Sequence, residues 1–98
     1  MDVSKGYLQY AILKILEDKV MHGYKITMEL EKRIKWKPSP GSMYPVLSSM
    51  ESEKLIVGMD LVEMGKYKKV YKITDKGLEH LKNFRKQFRD FITFMGFK

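Results

Sequence analysis

Cysteine is absent from this chain of 98 residues, which excludes disulfides and thiolate metal sites and fits a reducing compartment. Histidine is scarce, with only His22 and His80. Two histidines alone do not make a metal site. No Ser–His–acid arrangement and no phosphate-cradling glycine loop is present, so no catalytic residue, metal or cofactor is expected, and no enzyme. Long apolar runs are lacking too: none approaches the roughly 18 residues of a membrane span. The opening Met-Asp-Val-Ser-Lys-Gly has no apolar core of the signal-peptide kind. The expectation is a cytoplasmic protein of one small domain.

Acidic residues are outnumbered, 12 against 19 lysines and arginines, giving a net charge of +7 and a pI of about 9.6. A basic surplus favours polyanions. Its distribution is uneven. Lys32, Arg33, Lys35 and Lys37 are followed by no acid before Glu51, and Lys66, Lys68, Lys69 and Lys72 lie between Glu63 and Asp75 without one. These two acid-free blocks are expected at the two ends of one binding surface.

Between them lies the most informative stretch, residues 37–51. Pro38, Pro40 and Gly41 are loop chemistry, because proline fixes φ and drives the preceding residue out of the α region. Met43, Val46, Leu47 and Met50 then fall at i, i+3, i+4 and i+7, the apolar stripe of a helix. Ser42 is the expected N-cap, with the helix starting near Gly41 or Ser42 and Pro45 tolerated in its first turn. Opposite the stripe stand Pro45, Ser48, Ser49 and Ser52, with Tyr44 on the flank. Small hydroxyl side chains permit close approach to something large and can hydrogen-bond phosphates or base edges.

The rest of the chain frames that helix. Residues 6–17 read as a helix with Leu8, Ile12, Ile15 and Leu16 on one face and Ala11 beside them. A second helix runs from about His22 to Ile34, with Ile26, Leu30 and Ile34 spaced by four. Gly23 allows close helix approach, His22 caps or packs at the helix start, and Trp36 seals the edge of the core. Residues 55–63 and 66–74 are β-like and turn at Gly65, a hairpin with basic residues at or just after its tip. Thr74 and Asp75 supply an N-cap and a first-turn acid for a long last helix. Along it Leu81, Phe84, Phe88, Phe91 and Met95 step by 3, 4, 3 and 4, a heptad-like seam widened by Ile92, Phe94 and Phe97. So many phenylalanines exceed what one small core takes up, and a second copy of the chain is the natural partner. Leu78 and Leu81 are also candidates for packing on the chain's own core.

Helix, helix, helix, hairpin, helix is the order of a winged helix-turn-helix domain, in which the third helix enters the major groove and the hairpin reaches an adjacent groove or backbone. The expected class is α+β, mainly α: residues 1–74 as the winged domain and 75–98 as a C-terminal dimerisation helix. The sequence resembles the PadR family of transcriptional regulators. The resemblance is carried by Leu8-Gln9-Tyr10-Ala11-Ile12-Leu13, His22-Gly23-Tyr24-Lys25-Ile26, and the run from Pro38 to Leu47. It continues in Leu55-Ile56 with the basic segment Lys66 to Tyr71, and in Ile73-Thr74-Asp75-Lys76-Gly77. It covers about residues 6–80 in order and spacing.

That resemblance implies a homodimeric repressor on a roughly palindromic operator in double-stranded DNA, paired through C-terminal helices. It also implies that a small, often aromatic effector releases some members from DNA. After residue 75 there is room for one helix only, as in the short subclass. That subclass stacks ligands on aromatic residues of the dimer helix; here phenylalanines stand there and the one Trp, Trp36, stands elsewhere. Chemistry and resemblance together assign DNA contacts to Ser39, Ser42, Tyr44 and Ser48 on the third helix and its loop. The helix N-terminus adds a phosphate site. Lys66 and Lys68 are assigned to the wing contacts, with Lys25 and Lys37 as further phosphate contacts. Two rival readings use the same residues: a winged module that binds protein without specific DNA binding, and a membrane-surface protein using the Phe-rich last helix. The heptad seam argues against lipid, and the acid-free wing argues for DNA over protein.

Overall fold

Four helices and one antiparallel sheet follow each other as α1 (Val3–Leu16), β1 (Met21–His22), α2 (Gly23–Ile34), α3 (Pro40–Ser52), β2 (Ile56–Glu63), β3 (Lys66–Ile73) and α4 (Asp75–Met95). This is a winged helix-turn-helix with a long C-terminal helix, as the order of elements predicted. The computed structural model describes residues 3–96, with side chains from residue 6 onward; Phe97 lies outside them.

The core forms around α1, which packs against α2, α3, α4 and β3. Leu8, Ile12, Ile15 and Leu16 are buried as the spacing predicts, and Leu13 is buried as well, because neighbours surround the helix on more than one side. From α3 the whole stripe, Met43, Val46, Leu47 and Met50, turns inward. Trp36 packs half-buried against the edge of the core. Ile34 departs from expectation. It is 56% exposed at the last position of α2, where the helix has run beyond the body of the core.

α3 begins earlier than Ser42. Ser39 is the N-cap, its hydroxyl accepting from the Ser42 N–H at 3.2 Å, and Pro40 takes the first helical position. Pro45 is therefore inside the helix rather than in its first turn. The bond it cannot make is to the carbonyl of Gly41 four residues back, and Gly41 is exposed, so water can solvate that carbonyl. His22 caps α2 through Nδ1, which accepts from the Lys25 N–H at 3.2 Å.

The sheet has one more strand than the hairpin, in the order β1-β3-β2. Met21 and His22 pair with Tyr71 and Val70. Strands β2 and β3 pair along their whole length, with Glu63 opposite Lys66. Two residues close the turn, Met64 and Gly65, at φ 51° and 75°; the positive angles match the right-handed twist of the flanking strands.

The last helix is anchored at its start. Thr74 caps it by accepting from the Gly77 N–H at 3.0 Å, and its hydroxyl lies 2.7 Å from the carbonyl of Lys54 and 3.0 Å from that of Leu55. A Cβ on Gly77 would run into the Leu55 carbonyl oxygen, so only glycine lets the helix sit so close to the start of β2. Leu81 is 3% exposed and belongs to the chain's own core, so it is not available for the dimer seam expected from its spacing. Arg85 then grips Glu17 at the end of α1 with two hydrogen bonds, of 2.9 and 2.7 Å. Beyond that point α4 runs free, and the molecule extends 53 Å along its longest axis.

Candidate nucleic-acid interface

The outer face of α3 carries no cation among its exposed positions; Tyr44, Pro45, Ser48, Ser49 and Ser52 all reach solvent there. The stripe opposite is held in the core, so these side chains cannot turn inward. Ser39 and Ser42 stand together at the N-terminus, their hydroxyl oxygens 3.2 Å apart, with Ser39 donating. That leaves the Ser42 O–H free to donate outward, while the Ser39 hydroxyl is occupied by the cap. The N-terminus of α3 is exposed, with no acidic residue in its first turn to compete for an anion.

Tyr44 is 50% exposed, and its ring lies against the start of α2. A Cβ on Gly23 would stand 3.1 Å from Tyr44 Cε1 and 3.3 Å from Leu47 Cδ1. The close approach inferred for Gly23 is therefore to α3. Tyr44 and the wing together bound a cleft of about 400 Å³, walled by His22, Tyr24, Tyr44, Lys68, Lys69 and Tyr71. Because His22 Nδ1 accepts from the Lys25 N–H, the neutral ring carries its proton on Nε2 as a donor. Burial pushes the Tyr71 hydroxyl above its ordinary pKa, so it too stays a donor. The side chains around the cleft are thus tyrosine, histidine and lysine, of which Lys69 is engaged by Glu51.

The basic blocks look different in space than along the chain. Lys69 is held 2.8 Å from Glu51 of α3, whose hydrogen bond raises the lysine above its usual pKa. Lys68 lies 3.8 Å from Glu63 on the neighbouring strand. Lys25 and Arg33 flank Glu29 at 3.7 and 3.3 Å. Lys37 and Lys66 have no acidic partner among the described residues, and both are exposed. Acid-free runs in sequence thus become partly neutralised pairs, because the acids arrive from other elements. Lys69, Tyr24 and Tyr71 were not among the expected site residues. Tyr24 and Tyr71 stand in the segments that carry the family resemblance, which was the available signal.

Apolar side chains are exposed on the wing, among them Val62, Met64 and Tyr67, and along the far half of α4. Phe88, Phe91 and Met95 are 44%, 54% and 53% exposed, and Phe94 is 82% exposed. Nearer the body, Phe84 stacks on Tyr10 at 3.7 Å between ring centroids and on Phe88 at 5.6 Å. Between α1 and α4 a groove of about 510 Å³ is lined by Tyr7, Tyr10, Ile34, Phe84, Arg85 and Phe88, among others. Ile34, outside the core, is part of that wall. Among the described residues, no helix is long and apolar enough to cross a membrane.

A helix-turn-helix with an exposed third helix, followed by a two-stranded wing, defines a winged-helix protein. The model of the PadR-like family of transcriptional regulators matches residues 12–83, and the chain belongs to that family, whose members are regulators and not enzymes. It is 38% identical to a PadR-like regulator of Bacillus cereus, over 93% of this chain and 89% of that one, with a TM-score of 0.82. A transcriptional regulator of Mycobacterium tuberculosis is 32% identical over 76 residues, 78% of this chain and 70% of the relative. Bacillus subtilis PadR, solved in complex with operator DNA, is 30% identical with a TM-score of 0.73; the match covers 79% of this chain and 45% of that protein.

Proposed function

We propose that this regulator binds double-stranded DNA sequence-specifically, as a homodimer, and represses transcription from a palindromic operator in the cytoplasm. The observation that carries the reading is the juxtaposition of a cation-free, small-residue outer face on α3 with a cleft walled by tyrosines and a basic wing. In this reading Ser42, Tyr44 and Ser48 meet base edges and phosphates in the major groove. Ser39 contributes as the cap that exposes the helix N-terminus. Lys66, at the hairpin tip, and Lys68 contact the flanking backbone, with Lys37 and Lys25 as outer phosphate contacts. The operator-bound relative supports the reading, since it matches 79% of this chain with a TM-score of 0.73.

Dimerisation is proposed through Phe84, Phe88, Phe91 and Met95 with Phe94, because that much uncovered aromatic surface on one helix is unfavourable in water. Residues 1–74 and the first turns of α4 form the DNA-binding unit, and the free part of α4 the dimer arm. A second reading attaches to the groove between α1 and α4. Its aromatic walls suit a flat aromatic effector, which would act by shifting the spacing of the two DNA-binding units.

Selection of duplexes from a randomised pool by the purified chain tests the function. Enrichment of a two-fold symmetric site is expected, with half-sites about one helical turn apart, or a multiple of it. Affinity should fall steeply as salt rises. Enrichment of nothing, or binding equally tight to any duplex, would leave the protein-interaction module as the better account.

A further inference from the structure

One ion pair ties the wing to the recognition helix. Glu51 stands in the last turns of α3 and Lys69 in the middle of β3, 18 residues on, and their side chains meet at 2.8 Å. The pair is seated on Gly58 of β2. A Cβ there would collide with Lys69 Cε and stand 2.7 Å from Glu51 Oε2. Gly58 is not among the residues with positive φ, so the backbone makes no demand for glycine; the space does. Lys69 Nζ also lies 5.7 Å from the centroid of the Tyr71 ring, which walls the cleft. Together these contacts turn Lys69 toward α3 rather than outward. Its neighbours differ. Lys66 has no acidic partner among the described residues, and Lys68 pairs with Glu63 inside the hairpin, which leaves the angle between hairpin and helix unconstrained.

We propose that the Glu51–Lys69 bridge, seated on Gly58, is a strut that fixes the wing relative to the recognition helix, and that Lys69 is a positioning residue rather than a phosphate contact. The inference rests on the DNA-binding reading above. Two elements that engage neighbouring grooves must be spaced correctly before contact, or ordering them at binding weakens the complex. A half-exposed ion pair adds little stability by itself, so its effect is geometric.

The two roles for Lys69 predict opposite signs for Glu51→Gln and different salt slopes for Lys69→Met. The probe is a duplex selected by the wild-type chain, compared with a shuffled duplex of equal length over a salt series. As a strut, Glu51→Gln and Lys69→Met each weaken binding to the selected duplex by roughly five- to tenfold. The slope of log affinity against log salt stays that of the wild type, and the double variant is no worse than either single. Gly58→Ala keeps both charges yet fills the seat. The lysine atom it meets is near the end of a flexible side chain, so the strand accepts alanine while the pair is displaced. It weakens binding to the same degree, and thermal unfolding of all variants stays close to wild type.

Tighter binding by Glu51→Gln with a steeper salt slope would overturn the strut, since Glu51 would then be restraining a lysine that contacts DNA. A slope shallower by about one phosphate in Lys69→Met would do the same, as would wild-type binding by Gly58→Ala. A wild-type chain that selects no duplex defeats the DNA-binding reading and the strut with it. One that selects a duplex which Glu51→Gln binds equally well defeats the strut alone.

Discussion

The outer face of α3 and the far half of α4 are built on opposite rules, while the wing between them exposes apolar Val62, Met64 and Tyr67 beside its lysines. On α3 the side chains facing outward are small, hydroxylic or cyclic, and the charges around them are partly matched by acids from other elements. On α4 three phenylalanines and a methionine stand uncovered along one helix. The first surface loses little when wetted and offers donors to a polyanion. The second is unfavourable in water until another apolar surface covers it. Net charge alone does not separate these surfaces; the placement of side chains does, with small hydroxylic groups on α3 and uncovered phenylalanines on α4.

The contrast breaks most completely if the arm is made polar. Phe88→Glu with Phe91→Glu should abolish self-association, at a cost of ~3 kcal/mol or more, which is at least a hundredfold in Kd. Sedimentation equilibrium would show a monomer with unchanged helix content by circular dichroism. A dimer that persists would place the interface elsewhere.

A smaller effect separates the anchored start of α4 from its free end. Gly77→Ala forces a methyl group against the Leu55 carbonyl and should destabilise the fold by about 2–3 kcal/mol, read as a lower midpoint in thermal unfolding. An alanine at exposed Gly96, beyond the last turn, meets nothing within 4 Å but must adopt φ 95°, so its penalty is confined to the helix end.

The clasp between α1 and α4 gives a pH signature. The Arg85 guanidinium, and after it Lys14, lower Glu17 from 4.5 to about 2. A depressed folded value means the stabilisation is fully present above the unfolded pKa and is lost as pH falls from about 4.5 through about 2. Because Arg85 is 45% exposed, screening leaves a contribution on the order of 1 kcal/mol. Glu17→Gln should remove that acid-sensitive part of the unfolding curve while leaving other carboxylates to titrate. A variant whose acid limb matches wild type would mean that the clasp contributes nothing.

Much of this architecture could be read before any coordinates. The α3 stripe, the Thr74 cap and the hairpin turn at Gly65 follow from local chemistry, and of the two roles open to His22, capping or packing, the structure shows the cap. The errors have local causes as well. Ser39 followed by Pro40 is itself an N-cap and first-position signature, which competes with the loop character of the two prolines. Leu81 and Phe84 share one heptad seam, yet Leu81 sits where the helix still touches the core; periodicity gives a face but not the point at which a neighbour ends. Strand β1, two residues long, has no period to detect and exists only because β3 lies beside it. The pairing of Lys69 with Glu51 spans 18 residues and belongs entirely to tertiary structure.

The measurement that bears most directly on the central claim, that α3 and the wing read DNA together, is a gel shift of the purified chain on DNA from immediately upstream of its own gene. A random fragment of equal length serves as competitor, salt is varied, and Tyr44→Ala and Lys66→Ala run alongside. The account predicts retention that survives the competitor and weakens with salt. Tyr44→Ala should bind ~tenfold more weakly, about 1.4 kcal/mol. Lys66→Ala should weaken binding to all sequences and lower the salt slope by about one. Absence of any shift at low salt would contradict the account, as would variants that bind just as the wild type does.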